Sequence, residues 1–154
     1  MSDGAPNGYS IVTFDGKKAS FEYKAARKPA DYQMEIDAPD EIAAADAEKT
    51  EVVVNVFAGS ERSTVEMRVD GAGEWAAMER TIRVDPKYAR MKEAEKSLGK
   101  AIRGLPMKDP DKSTHIWRAL LPNIRTPGAH RIEVRTTDVF GQTYVTHRAF
   151  RVVI

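Results

Sequence analysis

Three histidines, His115, His130 and His147, and twenty-three carboxylates are the side chains from which acid-base or metal-assisted chemistry would have to be assembled here. None of the histidines stands at a ligand spacing such as H-x-H or H-E-x-x-H, and each falls in a separate strand-like stretch. They read as satisfied or surface histidines rather than as a metal set. Nucleophilic chemistry fares no better, because Ala58-Gly59-Ser60-Glu61 lacks the G-x-S-x-G elbow. Cysteine is absent, which removes a thiol nucleophile, a thiolate zinc site and a disulfide together. Neither a P-loop nor a G-x-G-x-x-G turn offers amides to a phosphate. Carboxylate pairs such as Asp109 and Asp111 are available to any chain this acidic. No catalytic residue, cofactor site or metal site is therefore expected in this chain.

Aromatic side chains allow a binding chemistry instead. Trp75, Trp117, Tyr9 and Tyr32 could form a stacking platform for a sugar ring, which would make the chain an independent carbohydrate-binding or other ligand-binding module. The competing reading of Trp117 is core, since it alternates with Ile116 and Arg118 inside a strand.

Any such groups must be positioned by a scaffold whose dominant period is two. Tyr9 to Phe14 and Ala19 to Ala25 flank Asp15-Gly16, a hairpin turn signal. Tyr32, Met34 and Ile36 alternate into a third strand that Pro39 ends, and Val52 to Phe57 forms another. Val65 to Val69 stops at Asp70-Gly71, and Met78, Ile82 and Val84 continue as one strand on the far side. The period then changes: Tyr88, Met91, Ala94 and Leu98 share a helical stripe, started by Asp85-Pro86 and ended by Gly99 or Gly104. Strands return at His115 to Leu121, His130 to Thr137 and Tyr144 to Ile154. About nine strands and one helix predict an immunoglobulin-like or fibronectin-like antiparallel β-sandwich, one domain over residues 1–154 with a helical insertion at about 86–104.

Charge is balanced overall and uneven locally. Twenty-four basic residues against twenty-three acidic give a net charge of +1, which removes the basic excess that a nucleic-acid partner would want. From Asp31 to Glu51 there are eight acidic residues and one basic, a local net of −7, with a mobile loop or frayed helical turn at Ile42–Ala47. From Pro86 to Lys108 seven basic residues face two acidic ones, a local net of +5. Two exposed segments of this kind would polarise the surface, although solvated loops and helix faces are charged by default. No run approaches the ~20 apolar residues of a membrane span, and Met1 to Gly8 lacks the features of an export signal. The missing cysteines are compatible with a compartment outside the cytoplasm.

Several local signatures occur together. Asp3-Gly4-Ala5-Pro6-Asn7-Gly8-Tyr9, Phe14-Asp15-Gly16, Tyr23 to Met34, Val53 to Ser60 and Ile132 to Tyr144 resemble the C-terminal domain of bacterial calcineurin-like metallophosphoesterases. The resemblance implies that the chain is the C-terminal part of a longer enzyme, with the catalytic metallophosphoesterase domain as its partner in cis. It also implies two divalent metals in that catalytic domain, held by D-x-H, G-D, G-N-H-[DE] and G-H-x-H motifs, none of which occurs here. The hydrolase activity thus attaches to the parent, possible export included, and this chain is expected to be a non-catalytic accessory domain. Its expected contacts are turn residues with polar or aromatic character outside the strand pattern: Asn7, Tyr9, Arg27, Asp31, Arg62, Asp138 and Phe140. The local alternative for each is turn chemistry, in which Asn and Asp bond their own backbone.

Overall fold

A computed structural model describes residues 1–99 and 104–154. Eleven strands and one α-helix follow in the order β1 (Gly8–Asp15), β2 (Lys18–Ala25), β3 (Met34–Asp37), β4 (Glu41–Ala43), β5 (Glu51–Val56), β6 (Thr64–Val69), β7 (Ala72–Ala77), β8 (Glu79–Val84), α1 (Pro86–Leu98), β9 (Lys112–Leu120), β10 (Gly128–Thr137) and β11 (Thr143–Val153). One sheet has the order β4-β11-β10-β6-β7 and the other β3-β5-β9-β8, while β1 and β2 pair only with each other. The two larger sheets share one core: Val52, Val54 and Trp117 from one meet Met67, Ile132, Val134 and Phe150 from the other. This is the β-sandwich that the alternation predicts.

Three features depart from the sequence-based expectation. The stretch from Met78 to Val84 is not one strand beyond the Asp70-Gly71 turn. That turn leads into β7, with both residues at positive φ as a two-residue hairpin requires. The chain then crosses at buried Met78 and pairs as β8 with β9 in the opposite sheet. A second departure is β4, a short strand lying parallel to β11, so the sandwich is not wholly antiparallel. It leads into a 3-10 helix over Ala44–Lys49, the helical alternative of the mobile loop or frayed helical turn expected at Ile42–Ala47.

The third concerns the helix. Asp85 caps it as expected, its Oδ1 accepting from the Tyr88 amide at 2.7 Å, and Gly99 closes it at φ 54°. The expected extension to Gly104, with Lys100 and Arg103 of the basic count, lies outside the described residues. The apolar stripe is hardly buried, since Met91 remains 50% and Leu98 61% exposed. Charge holds the helix down instead: Lys87 pairs with Glu35 and Arg90 with Asp37 on β3. The acidic and basic stretches therefore partly neutralise each other rather than forming two separate poles.

The central strand β5 is covered on both sides. Val52, Val54 and Val56 face the shared core, while Val53 and Asn55 are buried on the opposite face, beneath Gly4, Ala5 and the start of α1. Double coverage explains why the segment reads as a continuous valine run rather than an alternation. Gly59, just after β5, lies against Trp117, which is 2% exposed. A β-carbon at Gly59 would sit 2.7 Å from Trp117 Cη2 and 3.0 Å from Val56 Cβ.

At the other sheet the β6–β7 turn is tied to β10. Asp70 Oδ1 accepts from the Arg131 amide at 2.8 Å, and His130 Nδ1 donates to Asp70 Oδ2 at 2.7 Å. His130 Nε2 donates to the Thr126 carbonyl, also at 2.7 Å. With an acceptor at each ring nitrogen the imidazolium is favoured, and the Asp70 hydrogen bond is the main reason that the His130 pKa is raised. For Asp70, partial burial opposes ionisation, but the His130 and Arg131 donors outweigh it and lower its pKa.

Two outcomes follow for stability. Gly59→Ala should lose about 1–3 kcal/mol in urea unfolding, because Trp117 has no room to yield; a loss below about 0.5 kcal/mol would show that it does. The His130 contribution is fully present below its unfolded pKa of about 6.5 and fades as pH rises through the raised native value, while that of Asp70 fades only as acid lowers the pH through its depressed native value. The urea midpoint of the native chain should thus exceed that of His130→Asn by more at about pH 5.5 than at about pH 8.5. An equal gap at both would remove the clamp.

Candidate functional site

The β1–β2 ribbon is the least covered part of the fold. Its two-residue turn places Gly16 at φ 61°, and its register pairs Val12 with Phe21 and Phe14 with Ala19. Alternation puts Val12, Phe14, Ala19, Phe21, Tyr23 and Ala25 on one face. At the base this face is buried. Tyr23 and Ala25 pack with Ala5 and Phe57, where the Tyr23 and Phe57 rings meet edge to face at 6.0 Å and Tyr32 lies 5.0 Å from Phe57. Gln33 secures the base from below, its Nε2 donating to the carbonyls of Tyr23 (2.6 Å) and Ala30 (2.7 Å). Towards the tip the face loses its cover, and Phe14 is 75% exposed. Every residue of β1 is exposed, including Tyr9, Ile11 and Val12.

Between the ribbon base and the β10–β11 turn lies an open cleft of about 100 Å³. Phe21 and Tyr23 line one side and Thr136, Phe140 and Tyr144 the other, with Gly59, Ser60 and Ser63 along the rim. The turn that forms its far wall is built by Asp138. Asp138 Oδ1 accepts from the amides of Phe140 (2.8 Å) and Gln142 (2.9 Å), and Gly141 completes the turn at φ 82°. This holds Phe140 outward at 46% exposure beside Val139. The Gln142 Nε2 reaches back to the Phe21 carbonyl at 3.4 Å, joining turn and ribbon. Burial first, then the Asp138 and Glu22 charges, push the Tyr144 phenol up; burial and Asp3 do the same for Tyr23. The cleft phenols are therefore neutral at physiological pH.

Of the residues expected to make contacts, Asp138 and Phe140 come together in the cleft wall. Arg62 belongs to the loop that rims it, its amide donating to Ser60 Oγ at 3.3 Å. Asn7, Tyr9, Arg27 and Asp31 lie instead around the ribbon base. The Asn7 carbonyl accepts from the Ala26 amide, Tyr9 pairs with Lys24, and the Asp31 carbonyl accepts from the Gln33 amide. Arg27 stands at φ 61° in the turn that leaves the ribbon. The sequence reading missed Val12, Phe14, Phe21, Thr136 and Tyr144 because each looks like ordinary strand alternation. Only the absence of a facing sheet distinguishes the first three.

The remaining chemical candidates are placed elsewhere. Trp117 is core, and the Trp75 ring is stacked by the guanidinium groups of Arg68 and Arg135 at 4.4 and 4.6 Å. Neither tryptophan stands as a bare sugar platform. His115 Nδ1 donates to Asn55 Oδ1 at 2.8 Å, His130 is in the Asp70 clamp, and His147 is exposed on β11. Among the described residues, no three His, Asp or Glu side chains are grouped so as to hold a metal ion. Ser60 and Ser63 hydroxyls accept from loop amides, which is turn-building work rather than nucleophile activation. Among the described residues, no helix is long and apolar enough to cross a membrane. The arrangement supports binding through neutral, largely aromatic surface.

A search of curated proteins returns no match to the chain. The family described as the C terminal of calcineurin-like phosphoesterase matches residues 1–144, which takes in the ribbon, the cleft and the strands from β1 to β10, and stops at the start of β11. By that match, the chain belongs to the C-terminal domain family of the calcineurin-like phosphoesterases.

Proposed function

We propose that residues 1–154 act as a single non-catalytic accessory domain that packs in cis on the catalytic domain of a calcineurin-like phosphoesterase and shapes the approach to its site. The observation that carries this reading is the ribbon. A strand exposed at every position, with Tyr9, Ile11, Val12 and Phe14 in water, is an aggregation liability unless another surface covers it. Family membership names the candidate cover, since a C-terminal domain of a phosphoesterase has a catalytic domain beside it in the same polypeptide. Asn7, Tyr9, Arg27 and Asp31 at the ribbon base, and Arg62, Asp138 and Phe140 around the cleft, form the contact set, extended by Val12 and Phe14.

The reading leaves hydrolysis to the partner domain. The described residues do not fit a metal pair, whose chemistry in such enzymes is to lower the pKa of bound water, so the two divalent metals are assigned to the catalytic domain. The turn and ribbon residues here supply position and cover.

Comparison of the full-length enzyme with a form lacking these residues tests the proposal. Without them, the apparent melting temperature of the catalytic domain should fall by roughly 2–4 °C for each kcal/mol of lost contact, and turnover of an aryl phosphate should drop. A Phe14→Asp substitution in the full-length enzyme should move both readouts in the same direction. Identical melting and turnover in all forms would end this reading.

A further inference from the structure

We propose that β1 is the interface of a two-fold symmetric dimer, pairing edge to edge with β1 of a second copy of this chain in an antiparallel register centred on Ile11. The β1–β2 ladder decides which backbone groups are free for this. The Ala26 amide donates to the Asn7 carbonyl at 2.8 Å, so Asn7 and Ala26 are a hydrogen-bonded pair, and alternation makes Tyr9–Lys24, Ile11–Glu22 and Thr13–Ser20 the next such pairs. The amides and carbonyls of Gly8, Ser10, Val12 and Phe14 therefore point away from β2, and no group among the described residues bonds to them. The outer edge of β2 is closed by contrast, its Phe21, Tyr23 and Ala25 carbonyls accepting from Gln142, Gln33 and Lys28.

Composition leaves this edge unguarded. A charged side chain commonly protects a sheet margin from pairing with another chain. Every other strand at a margin here has one: Lys24 in β2, Glu35 in β3, Glu41 in β4, Glu74 in β7 and Arg83 in β8. Gly8 to Phe14 carries none, and all of it is exposed.

Self-complementarity identifies the occupant as a second β1. Antiparallel pairing about a two-fold axis at Ile11 sets Gly8 opposite Phe14 and Ser10 opposite Val12, each in both senses, so every free amide and carbonyl gains a partner. An axis at Ser10 would set Phe14 against Pro6, which has no amide hydrogen, and an axis at Val12 would set Gly8 against Gly16 in the hairpin turn. With the axis at Ile11, the closely spaced pairs are Ile11 with Ile11 and Tyr9 with Thr13, an aliphatic contact on the axis flanked by aromatic and β-branched partners. Asp15, the charged residue that ends β1, falls opposite Asn7 rather than another carboxylate. Pairing uses the backbone edge alone. The faces of the doubled ribbon, with Val12 and Phe14 on one of them, stay open to a catalytic domain, so the dimer goes beyond the accessory reading without depending on it.

Because the chain contains no cysteine, a single introduced thiol reports the register. Under mild oxidation Ile11→Cys should crosslink two copies, since closely spaced partners lie about 4.5 Å apart at Cα, within reach of a disulfide. Phe14→Cys should crosslink roughly ten-fold more slowly, because the dimer holds its thiol against Gly8 and not against a second thiol. Random collision predicts the reverse order, as Phe14 is 75% exposed and Ile11 47%. Sedimentation of the native chain should show dimer growing with concentration. Val12→Pro removes an outward amide hydrogen but no β1–β2 bond, and should weaken the dimer about ten-fold or more, the loss falling twice in each dimer. Ile11→Lys should weaken it as well, by placing two ammonium groups opposite each other on the axis. A monomer at every concentration up to about 1 mM, crosslinking of Phe14→Cys as fast as that of Ile11→Cys, or dimers that survive both Val12→Pro and Ile11→Lys would each overturn the proposal. The Ile11→Cys crosslink is expected in the full-length enzyme too; its absence there would give the edge to the catalytic domain and overturn the dimer. A monomeric chain would leave the accessory reading standing, since that reading is judged on melting and turnover of the enzyme.

Discussion

The carboxamide of Asn55 is the interaction on which the rest of the arrangement depends. It is 3% exposed on the outer face of central strand β5, where an unpaired amide would be strongly destabilising. Its Nδ2 donates to Asp85 Oδ2 at 2.7 Å and its Oδ1 accepts from His115, whose Nε2 stands 3.4 Å from Asp3 Oδ2. One side chain thereby links β5, β9, the cap of α1 and the N-terminal segment. Asp85 serves both ends of this network, since its other oxygen caps the helix. Gly4 shows how closely the segment is drawn in: at φ 87°, a β-carbon there would lie 2.5 Å from Asp85 Cβ and 2.7 Å from Asn55 Nδ2.

This polar node decides where the ribbon starts. With Asp3 to Ala5 held against the outer face, the chain must leave the sandwich at Pro6, whose carbonyl accepts from the Tyr23 hydroxyl. The ribbon then has only its base within reach of the sheets, and the aromatic contact of Tyr23 with Phe57 sets its angle. The cleft exists because that base and the Asp138 turn approach each other without closing. A fully packed core on one side and an open aromatic margin on the other are the two consequences of the same anchoring.

The helix illustrates a different balance. Its apolar stripe suggests burial, yet it is held by the Asp85 cap and by ion pairs with β3. Such surface pairs contribute little individually. The helix stays because the cap and the pairs act together over one turn and because its first residue continues directly from β8. The charged stretches around 31–51 and 86–108, which look like two poles when each is read alone, turn out to be neighbours.

Much of the scaffold could be read from residue order alone. Period-two alternation, the Asp-Gly turns and Asp85-Pro86 depend on local backbone chemistry and so mark strands, hairpins and a helix start without reference to the rest of the chain. The lack of any metal or nucleophile spacing, and the family signatures, were equally visible. Alternation, however, states only that a residue has two sides. Whether Val12 and Phe14 face a second sheet or water, whether Met78 ends one strand or carries the chain to the other sheet, and whether the Thr136 hydroxyl finds a partner all depend on segments far apart in sequence. Those decisions belong to the tertiary structure, because burial and hydrogen-bond satisfaction are properties of a site's whole surroundings and not of the residue that occupies it.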